Sequence, residues 1–261
     1  MTTILKVTDL TKTFGAVVAA QNINVEVQEQ EVIGIIGANG AGKTTFVNMV
    51  TGWTKPSRGE IEFQGKSVLG MAPRDITKLG ICRSFQVPQV FLSETVFDNL
   101  QMAYAIAEES GKGLLRDISL PERTQRIEEK LSRYSILEYR DQLASTLPQG
   151  IRKLLDIAMA TVRKPKILLL DEPTSGISVE EKFGLMDIIM NALKEDKTTV
   201  MFIEHDMDII ERYVSRVIAF YQGEIICDTT TDEALADEKV QEFVIGQQHH
   251  RQDANEGADH A

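Results

Sequence analysis

Residues Gly37-Ala38-Asn39-Gly40-Ala41-Gly42-Lys43-Thr44 match the spacing G-x-x-x-x-G-K-[ST]. Small residues let successive backbone N–H groups curl around phosphate oxygens, and a helix opening at the last glycine aims its positive end at them. Lys43 then reaches the β- and γ-phosphates of a nucleotide, and the Thr44 hydroxyl ligates Mg²⁺. The expected phosphate-binding run therefore comprises Gly37, Ala38, Asn39, Gly40, Ala41, Gly42, Lys43, Thr44 and Thr45.

A second group of residues suits the same chemistry. Ile167-Leu-Leu-Leu runs into Asp171 and Glu172, two carboxylates at the end of an apolar segment. On their own they read as solvated acids at a strand end. Beside a phosphate loop, Asp171 can hold Mg²⁺ through water and Glu172 can orient or deprotonate an attacking water. Val200-Met-Phe-Ile-Glu repeats the layout and leaves His205 at another strand tip. Strands that bring Lys43, Glu172 and His205 to one sheet edge make His205 a γ-phosphate sensor.

The elements that must carry these groups alternate. Ile4 to Leu10 and Ile23 to Val27 read as half-buried strands, and Val32 to Ile36 as a strand buried on both faces. A helix over Thr44 to Thr51 follows the glycine turn. Ile61-Glu-Phe reads as a short antiparallel excursion and Ile81 to Gln86 as a return to the sheet. From Val87 to Lys164 the pattern is helical, with Ile127, Leu131 and Tyr134 at helical spacing and with Gly111 to Gly113 and Pro121 as interruptions. Beyond it come strands at Ile167 to Leu170 and Thr199 to Ile203, and helices at Glu180 to Leu193 and Asp206 to Val214. A hairpin at Gln222-Gly223 joins Val217–Tyr221 to Glu224–Cys227. The expectation is an α/β fold: a P-loop core with a mostly parallel sheet, an antiparallel β excursion and an inserted helical subdomain. Core segments 1–87 and 165–246 would flank a helical subdomain at 88–164, with 247–261 a disordered tail.

Charge narrows the partners. Lys and Arg total 28 against 39 Asp and Glu, a net charge of −11, which argues against an autonomous nucleic-acid or anionic-membrane binder. Cys82 and Cys227 lie outside any metal-like spacing and suit a reducing compartment. No run reaches the length of a membrane span and the first residues lack a signal-peptide layout, so a soluble cytoplasmic protein is expected. The histidines His249, His250 and His260 read as solvated, leaving Mg²⁺ as the only expected metal.

With these residues in view, the chain resembles the ATP-binding subunits of ABC transporters over roughly residues 4 to 246. The resemblance implies ATP and Mg²⁺ as cofactors and adds three roles. Phe14, in Lys12-Thr-Phe-Gly15, sits where the family stacks an aromatic on adenine. Gln86, in Arg83-Ser-Phe-Gln86, falls on the Q-loop, which touches the metal and catalytic centre and links the nucleotide to the membrane subunit. Asp171 with Glu172 matches the Walker B pair, and His205 the switch histidine. The segments Gly80 to Phe91, Thr95 to Leu100 and Thr51-Gly-Trp53 look like the group that energises uptake of branched-chain amino acids, urea and short amides.

Two departures stand out. The signature, usually L-S-G-G-Q, falls on Leu147-Pro148-Gln149-Gly150-Ile151, so Pro148 replaces a serine hydroxyl with a residue lacking both hydroxyl and N–H. The D-loop segment Ser175-Gly-Ile-Ser178 ends in serine where aspartate is usual. Gly150 survives, and a helix from about Arg152 to Val162 still offers its dipole. The resemblance implies an ATPase peripheral on the inner face of a membrane, paired with a second ATPase subunit, here a different chain. Two permease subunits and an external solute-binding protein complete the system, with no nucleic acid. The alternatives are a regulatory or adaptor subunit that binds ATP but hydrolyses it weakly, and an importer ATPase for urea or amides.

Overall fold

A computed structural model describes residues 2–107 and 121–246. Gly111 to Gly113, the 247–261 segment expected to be disordered, and the tail histidines lie outside the described residues. The chain forms two compact units, Met1–Leu79 with Thr199–Ala261, and Gly80–Thr198. The second unit therefore holds strands as well as the helices expected between 88 and 164.

In the first unit, β1 (Thr3–Phe14) and β2 (Val17–Gln28) form a long antiparallel hairpin. Strand β4 (Arg58–Phe63) pairs antiparallel with β1 and then with the two-residue β5 (Lys66–Ser67), which bears out the expected excursion. Strand β3 (Val32–Gly37) lies parallel to both β8 (Thr199–Ile203) and β9 (Arg216–Tyr221). Ile33, Ile35 and Ile36 are fully buried, as a strand covered on both faces demands. Strand β10 (Glu224–Thr230) returns from β9 through Gln222 and Gly223. Both turn residues have positive φ (49° and 86°), the requirement of a type I′ hairpin.

Helices pack on these strands. Helix α1 (Lys43–Val50) buries Phe46 against Phe220 of β9, with ring centroids 5.6 Å apart. Helix α7 (Met207–Tyr213) opens on Asp206, whose carboxylate accepts the Asp208 N–H at 3.0 Å. A Cβ at Gly34 would meet Ile210 at 2.7 Å, so glycine there lets α7 lie close on β3. Helix α2 (Pro73–Leu79), short and with only Ile76 buried, carries too little apolar periodicity to be read from sequence.

In the second unit, β6 (Ile81–Ser84) runs parallel to β7 (Ile167–Asp171) in the register Ile81↔Ile167 to Ser84↔Leu170. Helix α3 (Val96–Ala107) opens on a capping arrangement in which the Thr95 Oγ1 accepts the Asp98 N–H and donates to its carboxylate. Helix α4 (Pro121–Arg133) has Pro121 as its first described residue, and helices tolerate proline in their first turn. Ile127, Leu131 and Tyr134 are fully buried, as their spacing predicted. Helix α5 (Gln149–Ala160) starts three residues ahead of the expected Arg152, with Pro148 as its N-cap. Helix α6 (Val179–Glu195) completes the unit.

The expectation of helix throughout 87–164 is corrected at its start, because residues 85–91 have no regular secondary structure. Pro88 disfavours helix for the residue before it. Side chains of α3 and α5 also claim the backbone there: the Asn99 side chain accepts the Phe91 N–H at 2.7 Å and donates to the Phe91 carbonyl at 3.0 Å.

Candidate functional site

The phosphate loop of the first unit is shaped by backbone that only glycine tolerates. Gly37, Gly40 and Gly42 have φ of 151°, 81° and 106°. A Cβ at Gly37 would lie 2.5 Å from the Phe220 carbonyl oxygen, and one at Gly42 2.7 Å from that of Ala19. Gly40, by contrast, faces open space. Helix α1 has no side-chain cap at its N-terminus, so its first-turn amides are available to an anion.

Lys43 sits in the first turn with its side chain folded back over the loop. Its Nζ donates to the carbonyls of Gly37 at 2.6 Å and Ala38 at 3.1 Å. Thr44 beside it is exposed and Thr45 half-buried. A loop of this curvature, an uncapped helix start and a lysine over it fit a nucleotide polyphosphate.

Phe14 ends β1 with half its surface exposed, and the Lys12 ammonium lies 4.8 Å from its ring centroid. Such an exposed ring can stack on a base. His205 stands at the turn between β8 and α7, half-buried. Its backbone N–H donates at 3.0 Å to the carboxylate of Glu204, which is itself buried. Glu204 escaped the sequence reading because an acid next to a strand end normally faces water.

The second unit carries the carboxylates. Asp171 ends β7 and forms an ion pair with the Arg83 guanidinium of β6; both side chains are largely buried. Glu172 follows with φ of 49°, uncommon for a side chain of its kind, a conformation that costs about 1–3 kcal/mol and persists where neighbours hold it. Those neighbours are identifiable. The Lys153 ammonium of α5 donates to the Glu172 carbonyl at 2.5 Å, and the Ser175 N–H donates to the same oxygen at 3.2 Å. The Glu172 carboxylate is thereby turned towards Gln86, whose Nε2 donates to it at 2.5 Å. Gln86 and Glu172, assigned separate roles by the resemblance, are in contact.

A third acid was missed altogether. Asp156 of α5 is buried, and its two oxygens accept the Ser84 hydroxyl at 2.5 Å and the Gln89 N–H at 2.8 Å. Burial pushes its carboxyl up, against the opposing pull of those two hydrogen bonds and of Lys153. Cys82, beneath this loop on β6, is pushed up to about 11 by burial, so it stays an inert thiol.

The altered signature lies at the start of α5. Pro148 is exposed, and the Gln149 side chain donates to the Ser175 carbonyl at 3.2 Å. The signature and D-loop residues of one chain therefore touch each other directly.

Comparison with known proteins agrees with this chemistry. A family model described as ABC transporter matches residues 20–175. The chain is 33% identical over 250 residues to the high-affinity branched-chain amino acid transport ATP-binding protein LivG of Escherichia coli, a match covering 94% of this chain and 98% of that relative. It is 30% identical over 252 residues to the corresponding protein BraF of Pseudomonas aeruginosa, covering 94% and 98%. Among solved structures, an ATP-binding cassette of an ABC transporter in its ADP conformation superposes with a TM-score of 0.81 at 29% identity, covering 93% of this chain and 98% of that one.

Proposed function

The chain belongs to the ABC transporter family of ATP-binding proteins, and from that premise we propose that it hydrolyses ATP to energise an importer of branched-chain amino acids. The observation that carries the substrate class is the match to LivG along 98% of that relative's length. Nothing in the site favours urea or short amides, or a purely regulatory subunit.

The residues take roles individually. Phe14 stacks on the adenine, and residues Gly37 to Thr45 with Lys43 hold the phosphates. Thr44, with Asp171 and Gln86 directly or through water, would hold Mg²⁺, a cation that keeps several waters and needs few protein ligands. When bound, Mg²⁺ neutralises phosphate charge during transfer. Glu172 orients the attacking water and accepts its proton. His205 holds the γ-phosphate. The core would span 1–87 and 165–246, with 88–164 as the helical subdomain and 247–261 as a tail.

Partners follow from surface and signature. Among the described helices none is long and apolar enough to cross a membrane. Val87, Phe91 and Leu92 are all substantially exposed beside Gln86, which supports docking of a permease on this loop and a peripheral place at the inner membrane face. A signature with Pro148 forfeits one hydrogen bond to a phosphate, about 1.5–3 kcal/mol. That is on the order of ten- to a hundredfold in transition-state stabilisation. A homodimer would carry the loss twice, so we assign the partner ATPase to a different chain, alongside two permeases and an external solute-binding protein.

Proteoliposomes containing the assembled complex test the substrate class. ATP-dependent uptake of leucine, isoleucine or valine is expected, with no uptake of urea. The reverse preference would overturn the assignment while leaving the ATPase reading intact.

A further inference from the structure

The loop after β6 carries Gln86, yet residues 85–91 have no regular secondary structure to hold it. Asn99 of α3 holds its far end at Phe91, and one side chain of α5 holds the part that flanks Gln86. Asp156 accepts from Ser84 on one shoulder of Gln86 and from Gln89 on the other, with one carboxylate oxygen for each. Gln86, between them, is exposed and its amide donates to Glu172.

We propose that Asp156 is a positioning residue, whose carboxylate clamps both shoulders of the 84–89 loop and so holds the Gln86 amide against Glu172. A carboxylate buried on the inner face of α5 is costly, and an apolar side chain would fill that place more cheaply. The geometry gives the acid a task an apolar residue lacks, since each oxygen meets a loop donor. The clamp also ties the loop to α5, the helix that begins at Pro148. Movement of that helix is thereby transmitted to Gln86 through two hydrogen bonds. This inference rests on the roles of Gln86 and Glu172 proposed above.

The test is a mutant cycle on the assembled complex, combined with hydrogen exchange on the full chain. Asp156→Ala lowers kcat on the order of ten- to a hundredfold, the scale of a misplaced catalytic group, with little change in KM for ATP. Asp156→Asn restores most of it, because its oxygen still accepts from Gln89 and its amide donates to the Ser84 hydroxyl. In a Gln86→Ala background, Asp156→Ala has no further effect. The Gln89 amide exchanges faster in Asp156→Ala and stays protected in Asp156→Asn.

An undiminished loss from Asp156→Ala in the Gln86→Ala background overturns the proposal, as does a Gln89 amide that stays protected without the carboxylate. Wild-type turnover in Gln86→Ala alone overturns the role of Gln86; the clamp itself is then decided by Gln89 exchange. If Asp156→Ala does not fold, Ser84→Ala, which removes one of the two contacts, is run through the same cycle.

Discussion

Glu172→Gln leaves ATP affinity unchanged and lowers turnover by about 10²–10⁴-fold, the range of a lost general base. The amide fills the same volume, and its carbonyl oxygen can still accept from the Gln86 amide, which now donates at 2.5 Å. The contacts that turn the backbone at this position end on the Glu172 carbonyl, so the substitution leaves them in place. What disappears is a group able to take a proton from water. Steady-state ATPase rates on the assembled complex, with nucleotide binding measured separately, check the result. Turnover close to wild type removes Glu172 from the chemistry.

Lys43→Ala acts at the other stage, weakening ATP binding on the order of ten- to a hundredfold for the loss of a charged hydrogen-bond donor to phosphate. The Lys43 ammonium is already in the loop, donating to two of its carbonyls, so little reorganisation separates this arrangement from one engaged with phosphate. Fluorescent nucleotide titration of the isolated chain reads the effect. Thermal unfolding of the same sample distinguishes lost affinity from a lost fold. Unchanged affinity takes Lys43 out of the site.

The cradle was legible because the backbone itself constrains residue type there. At Gly37 and Gly42 any side chain would run into a carbonyl oxygen, so spacing in sequence maps directly onto curvature in space. The strands β3, β7 and β8 were equally plain, since burial on both faces leaves uninterrupted apolar runs. The hairpin at Gln222-Gly223 announced itself through its turn residues.

Asp156, Arg83, Lys153 and Glu204 were not legible. The first three are charged residues whose partners are distant in sequence. Glu204 is an acid at a strand end, buried where such acids normally face water. Each alone reads as part of a solvated face. Asp156 is 67 residues from Gln89 and 72 from Ser84, and Arg83 is 88 from Asp171. Only the packing of α5 and the β6–β7 pairing bring them together. The same cause explains the loop at 85–91, where apolar residues suggested helix but side chains from two helices hold the backbone open. The early start of α5 has a different origin, because proline, a breaker inside helices, is harmless at the N-cap.

In the proposed function, an intact Glu172 and His205 stand beside an altered Pro148 signature, so that this chain would supply the working catalytic residues and its partner the working signature. The most direct test is ATP hydrolysis by an assembled complex in which only the partner ATPase has lost its catalytic glutamate. Most of the wild-type turnover should remain, because the site built on Lys43 and Glu172 is untouched. Loss of nearly all hydrolysis in that complex would contradict the account and make this chain the regulatory subunit.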